Sequence, residues 1–216
     1  GTDDFTVEYW LYQTGSGVHC CFSFGMYNAA GDDALGANST TWSAGPGDSH
    51  TFSHLFDGTE VYTKGNETEA ARNEWQHWAM VNDNGDVEIF LNGVSVTTSA
   101  GANPDVDSAT RVYTIGARYD GSSYVNLYQG YIDDFRVSTN ARYTTTFTPP
   151  TSQLPHDSHT ILLLQSNSSD GNTTFTDLSQ GTLGREGYTG GNGGNASPYY
   201  QGAGGGGGGA AAANST

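Results

Sequence analysis

The chain has 216 residues, enough for one sizeable β domain with extra segments or two very small domains, and its apolar fraction of 35% confines the core to part of its length. Seven Lys and Arg stand against 23 Asp and Glu, a formal charge of -16, which argues against nucleic acid and anionic membrane surfaces as partners. No apolar run is long enough for membrane insertion and no signal peptide is present; the opening GTDDFTVEYW, already strand-like, reads as a processed or partial chain.

In residues 5 to 12, FTVEYWLY, the positions Phe5, Val7, Tyr9 and Leu11 alternate, predicting a strand with one face buried. After a QTGSG turn, GVHCCFSFGMYN repeats the pattern. Its adjacent Cys20 and Cys21 would point to opposite strand faces, awkward for a mutual disulfide, so one is expected in the core and one against a neighbour. Residues 28 to 50 are rich in Gly, Asn, Asp and Ser and read as loops. Strand-like HTFSHLF and TEVYTK follow. In WQHWAMVNDNGDVEIFLNGVSV two apolar runs flank NDNGD, whose Asn-Gly step suits the positive φ of a tight hairpin turn; Asn92-Gly93 supplies a second such turn. RVYTIGARYD and YQGYIDDFRVS predict two further strands. No window carries an apolar period of a helix, and short strands punctuated by turns indicate a sandwich or jelly roll.

Residues 149 to 159, PPTSQLPHDSH, hold three prolines and read as a linker or a strapped-down extended segment. TILLLQS predicts a buried strand, NSSDGN a turn and TTFTDLS a partner strand, so residues 160–181 form a strand pair. Residues 182–216 are glycine-dense and too poor in apolar side chains to fold alone. The expected organisation is a sandwich over 1–148, a linker over 149–159, the strand pair, and a glycine-rich tail.

DFTVEYWLY, then W-x-H-W-A-M-V ahead of the Asn-Gly hairpin, then IFLNG, TIGARY and GYIDDFRVS stand in the order typical of laminin-G/concanavalin A-like lectin/glucanase domains, which residues 3–178 resemble. The continuation ARYTTTFTPPT and HTILLLQSNSSDGNTTFTDLS is similar to a branch found in phage and other virion or surface structural proteins. The resemblance implies an all-β fold, an antiparallel two-sheet β-sandwich of the concanavalin A-like jelly-roll type. In that branch the ILLL…DG…FTD segment normally opens a module; here it stands at the end. Either residues 160–178 close their own sandwich, or they pair with a neighbouring copy through Ile161, Leu162, Leu163 and Leu164, or a further strand upstream completes the sheet.

Some relatives of this type are glucanases, whose retaining chemistry needs two carboxylates about 5 Å apart. The nearest match, Asp86-Val87-Glu88, puts Asp86 in the turn and lacks the third acid of the pattern, so the chain is expected not to be an enzyme. His19, His50, His54, His77, His156 and His159 make no metal-binding motif, and His77 matches a histidine that packs near the sheet in the family. Many members hold Ca²⁺ through the Asp of a final-strand motif similar to V-D-x-V-R-V; here it reads I-D-D-F-R-V, which makes Asp133 the implied calcium ligand, unless it pairs with Arg136 or sits in solvent instead. For sugar, the loop containing Tyr119, Asp120 and Tyr124, together with Trp42, offers aromatic and carboxylate groups. Sequons stand at Asn38, Asn66, Asn167, Asn172, Asn195 and Asn214 and matter only on a glycosylating route. Two functions follow as expectations. One is a structural or adhesive module of a virion or extracellular filament, assembling with other copies of itself. The other is a calcium-dependent carbohydrate-binding module that meets glycans on cell surfaces. Both place the chain outside the cell or on a virion surface.

Overall fold

The computed structural model describes residues 4–15, 17–25, 34–41, 49–56, 59–65, 73–99, 113–119 and 122–179. They form strands β1 (Phe5–Gln13), β2 (Gly17–Gly25), β3 (Ala34–Thr41), β4 (Ser49–Phe56), β5 (Thr59–Gly65), β6 (Trp75–Asp83), β7 (Asp86–Leu91), β8 (Val94–Ser95), β9 (Thr97–Ser99), β10 (Tyr113–Ile115), β11 (Arg118–Tyr119), β12 (Tyr124–Val125), β13 (Gly130–Ser138) and β14 (Thr160–Leu164). No helix among the described residues is long and apolar enough to cross a membrane. Two six-stranded antiparallel sheets result, in the orders β14-β13-β1-β6-β7-β8 and β10-β2-β3-β4-β5-β9, with β11 and β12 as a separate pair. This is the expected two-sheet sandwich. The glycine-rich residues 182–216 lie outside the described residues.

The alternation read in the sequence sets the core. Val7, Tyr9 and Leu11 of β1 and Trp78, Met80, Val87, Ile89, Leu91 and Phe135 of its sheet neighbours bury against Cys21 and Phe22 of β2. Tyr9 stacks on Phe135 at 5.5 Å, and both meet the Phe22 ring edge-on, which ties the two sheets together. Both Asn-Gly steps adopt the expected conformation: Asn84 and Gly85 turn β6 into β7, and Asn92 and Gly93 turn β7 into β8, all with positive φ.

The second face of the first sheet is covered too, which corrects the expectation that β1 buries one face only: Thr6 and Glu8 are as buried as Val7. The cover is the segment after β13. Ala141, Tyr143 and Phe147 pack on Ala79, Val81 and Phe90, with Tyr143 stacked on Phe147 at 3.6 Å. The Phe147 N–H donates to the Gly93 carbonyl, and a Cβ at Gly93 would fall on the Phe147 carbonyl, so glycine is needed there for close approach as well as for its φ of 80°. Further on, the Arg142 guanidinium grips Asp157 through two hydrogen bonds of 2.7 and 2.9 Å. Residues 139–159 are therefore a strap across a sheet.

β14 pairs antiparallel with β13 of its own chain, at the edge of the first sheet. Its outward side is occupied: the Leu163 N–H donates to the Asp177 carboxylate, and the Leu178 N–H donates to the Leu163 carbonyl. The sequence predicts TTFTDLS as a strand, but residues 173–179 make none; a side chain does part of the pairing, so no regular ladder forms. Three further expectations are corrected. The stretch 28–50 contains β3, a polar strand recruited by backbone bonding to β2 and β4 rather than by apolar alternation. RVYTIGARYD is broken into β10 and β11 at Gly116, which has a φ of 78° and donates its N–H to the Cys21 carbonyl. Cys20 and Cys21 are both buried and form no disulfide: Cys21 lies in the main core, while the Cys20 N–H donates to the Asn126 carbonyl and its thiol to the Phe22 carbonyl.

Candidate functional site

The first sheet's outer face carries two neighbouring polar clusters with opposite characters. In the first, the Glu8 carboxylate is fully enclosed and accepts four hydrogen bonds: Arg136 Nε and Nη2 at 2.9 and 2.6 Å, His77 Nε2 at 3.2 Å and the Tyr143 hydroxyl at 2.8 Å. Burial alone would raise its pKa, but the His77 hydrogen bond and the Arg136 charge outweigh it and hold the carboxyl below its ordinary value. Burial, with Glu8 beside it, pushes the Tyr143 hydroxyl well up, so it stays a donor. Every acceptor direction of Glu8 is filled from within. This cluster fastens the strap to the sheet.

The second cluster is open. The ladder pairs Trp10 of β1 with His77 of β6 and Asp133 of β13, and Tyr12 with Trp75 and Tyr131, so these side chains share the outer face in two successive rows. Trp10, Trp75, Asp133 and Asp134 form the floor of a groove of about 310 Å³, and Pro150, Thr151, Ser152 and Gln153 of the strap line it too. Trp75 is 46% exposed and Tyr131 64% exposed; with Tyr12 they make a ring cluster at centroid separations of 5.6, 5.8 and 6.5 Å. Such rings on a wet surface have no core to serve.

A β-bulge shapes the groove. Glu8 faces Arg136 while Trp10 faces Asp133, so the β13 strand carries one extra residue, and Asp134 takes a φ of 49°. Asp133 Oδ1 accepts the N–H groups of Asp134 at 2.7 Å and Ser166 at 2.8 Å. Asp134 is buried; its Oδ1 accepts from Gln165 Nε2 at 2.9 Å, and burial first, then the neighbouring Asp133 charge, raise its pKa despite that bond. Asp134 is an anchor, and Asp133 is the acid presented to the groove.

The other sequence-derived site residues scatter. Tyr119 and Tyr124 face each other across β11 and β12 at 5.3 Å, away from the groove lining. Trp42 and Asp120 lie outside the described residues. Asn167 and Asn172 are exposed, Asn38 pairs by its backbone within β3, and Asn66, Asn195 and Asn214 lie outside the described residues. In β14, Ile161 is exposed, Leu163 is buried, and Leu162 and Leu164 pack on the main core. Asp86 is exposed beside its turn, and Glu88 stands mid-strand in β7 opposite Val81. For calcium, Asp134 is tied to Gln165, one Asp133 oxygen already serves two amides, and among the described residues no group of three acid, His or Cys side chains gathers. Those side chains do not supply the six to eight oxygens calcium takes.

Sequence reasoning missed Trp10, Tyr12, Trp75, Tyr131 and Gln153. A signal was present: in EYWLY, Trp10 and Tyr12 occupy the strand phase opposite Tyr9 and Leu11, where a polar residue is the norm.

Solved structures share the fold at low identity. A putative carbohydrate binding protein from Bacteroides ovatus matches with a TM-score of 0.56 and 17% identity, over 82% of this chain and 50% of that one. The CBM40 of the Ruminococcus gnavus IT-sialidase matches with a TM-score of 0.50 and 12% identity, over 66% of this chain and 79% of that one. A heptameric SAP-like pentraxin from Limulus polyphemus matches with a TM-score of 0.48 and 16% identity, over 64% of this chain and 65% of that one. The chain thus spans about half to two thirds of the length of the pentraxin and the Bacteroides protein. No curated protein matches the sequence. The model of the concanavalin A-like lectin/glucanases superfamily, of the laminin G type, matches residues 1–146, and the chain belongs to that superfamily.

Proposed function

We propose that this domain is a non-catalytic carbohydrate-binding module working outside the cell, and that sugar lies in the groove of Trp10, Trp75, Asp133 and Gln153. The observation that carries the reading is the pairing of an exposed tryptophan with a carboxylate and an amide in one surface groove. The C–H face of a pyranose stacks on an aromatic ring, while its hydroxyls donate to carboxylate and amide oxygens. The Bacteroides protein's description and the CBM40, which was also solved with α2,3 sialyllactose, are in keeping with it. Binding to an array of immobilised glycans tests it. Trp75→Ala should cut affinity at least about tenfold while leaving the thermal midpoint in place. Unchanged binding in that variant sinks the assignment. The same array read with EDTA decides whether Asp133 works through calcium: full binding after chelation leaves Asp133 as a direct acceptor.

A second reading, a structural or adhesive subunit of a virion or filament, draws on one observation: β14 is an edge strand whose Ile161 is 56% exposed. Copies would pair through residues 160–178 once Asp177 and Leu178 lift from Leu163. Light scattering tests it directly. Large regular particles that Ile161→Asp dissolves support assembly, and a monodisperse particle of the chain's own 22.8 kDa rejects it.

A further inference from the structure

The charges around the groove narrow what it can hold. Among the described residues its lining contains Asp133 and Asp134 and no Lys, Arg or His. The guanidinium groups of Arg136 on β13 and Arg142 on the strap are spent. Arg136 gives Nε and Nη2 to Glu8 and Nη1 to the Pro155 carbonyl, and Arg142 gives its nitrogens to Asp157, Ser138 and Thr160. An anionic sugar would bring its carboxylate or sulfate against Asp133 in a chain of formal charge -16, with no Lys, Arg or His among the described lining residues to meet it. An ionised carboxylate is an acceptor only, so what Asp133 recognises is a donor, and a sugar's donors are its hydroxyls.

The aromatic rows set the length. Trp10 and Tyr12 are two residues apart on one strand face, which separates the rows by about 7 Å. Trp75 belongs to both, lining the groove while touching Tyr12 and Tyr131. A ring seated beside Trp10 and Asp133 therefore has a second stacking surface immediately next to it.

On the reading of the groove as a sugar site, we infer that its ligand is a neutral oligosaccharide of at least two rings and that uronic, sialylated and sulfated glycans are excluded by Asp133. Calorimetry on the full chain, at low and high salt, separates the parts. The probes are cellohexaose, mannohexaose and xylohexaose against hexagalacturonate, sialyllactose and a heparin hexasaccharide. At least one neutral hexamer should bind, with little dependence on salt, and the acidic probes at least about tenfold more weakly. Its monosaccharide should lose at least about tenfold, as should Trp75→Ala, and Tyr131→Ala should weaken the hexamer without changing the monosaccharide. Asp133→Arg should move the preference toward the acidic probes. Acidic probes that bind as tightly as neutral ones, with Trp75→Ala still destroying binding, overturn the charge selection and leave the groove as a sugar site. A monosaccharide that binds as well as the hexamer overturns the two-ring length. Failure of every probe, or indifference to Trp75→Ala, removes the groove reading and this inference with it.

Discussion

Glu8 shows how much one residue holds. Four hydrogen bonds from β6, β13 and the strap converge on a carboxylate with no solvent exposure. Glu8→Gln leaves Arg136 buried beside a neutral amide, so unfolding in urea should show a loss of about 3–5 kcal/mol. The pH dependence has a definite sign. The folded carboxyl sits below its ordinary value of 4.5, so its stabilisation is complete above that value and is lost as pH falls through the folded one. Asp157, which Arg142 holds far below the usual range, acts in the same sense. Asp134 acts in reverse: its raised pKa favours the fold below 3.8, and that contribution is lost as pH rises through its folded value. Stability below pH 4.5 should fall less steeply in Glu8→Gln than in the native chain, as read by urea titrations at each pH. Little of this was legible beforehand. Glu8 sits in the polar phase of β1, where a solvated glutamate and a buried one look alike; only the strap, whose contacts cross more than 130 positions of sequence, tells them apart. Asp133 was legible because a motif carried it. Trp75 was not, since a tryptophan opening a strand reads as core.

At the scale of elements, the strap and β14 depend on single contacts. Gly93→Ala adds a Cβ onto the Phe147 carbonyl at a φ of 80°, and should cost at least about 1–3 kcal/mol while freeing the wall of the groove. Thermal unfolding reads the first effect, and the difference in tryptophan emission between Gly93→Ala on the native and on a Trp75→Phe background reads the second. Asp177→Ala strips a partner from the Leu163 N–H. The loss should be about 1–3 kcal/mol, and amide exchange at Leu163 should accelerate while exchange at Met80 in the core is unchanged. The hairpin turns were readable from Asn84-Gly85 and Asn92-Gly93 because positive φ selects those residues locally. β3 was not readable. ALGANSTT has no apolar phase, and its strand exists because β2 and β4 offer backbone partners on both sides. Nor was the Leu163–Asp177 contact readable, because an aspartate standing in for a strand leaves no periodicity.

Across the whole molecule, acidic charge and a covered sheet act together. An isoelectric point near 4.3 means that self-repulsion fades at a pH where Asp157, held far below the usual carboxylate range by Arg142, still keeps its charge. Turbidity should peak near that pH and should precede the loss of tertiary signal by circular dichroism; turbidity that follows unfolding would contradict this order. The extra residue in β13 has its own consequence. Parity in a strand alternates with every position, yet Asp133 and Arg136, three apart, lie on one face because Asp134 is not counted by the ladder. A chain shortened by that one aspartate keeps Tyr131, Asp133, Phe135 and Arg136 in their present phase against β1. What it loses is the tether to Gln165 and the N–H that Asp133 Oδ1 accepts. The aspartate is thus an insertion whose removal the ladder can absorb, and its consequence falls on the groove, where the floor would lose one acid and the Pro150–Gln153 wall the anchor beneath it.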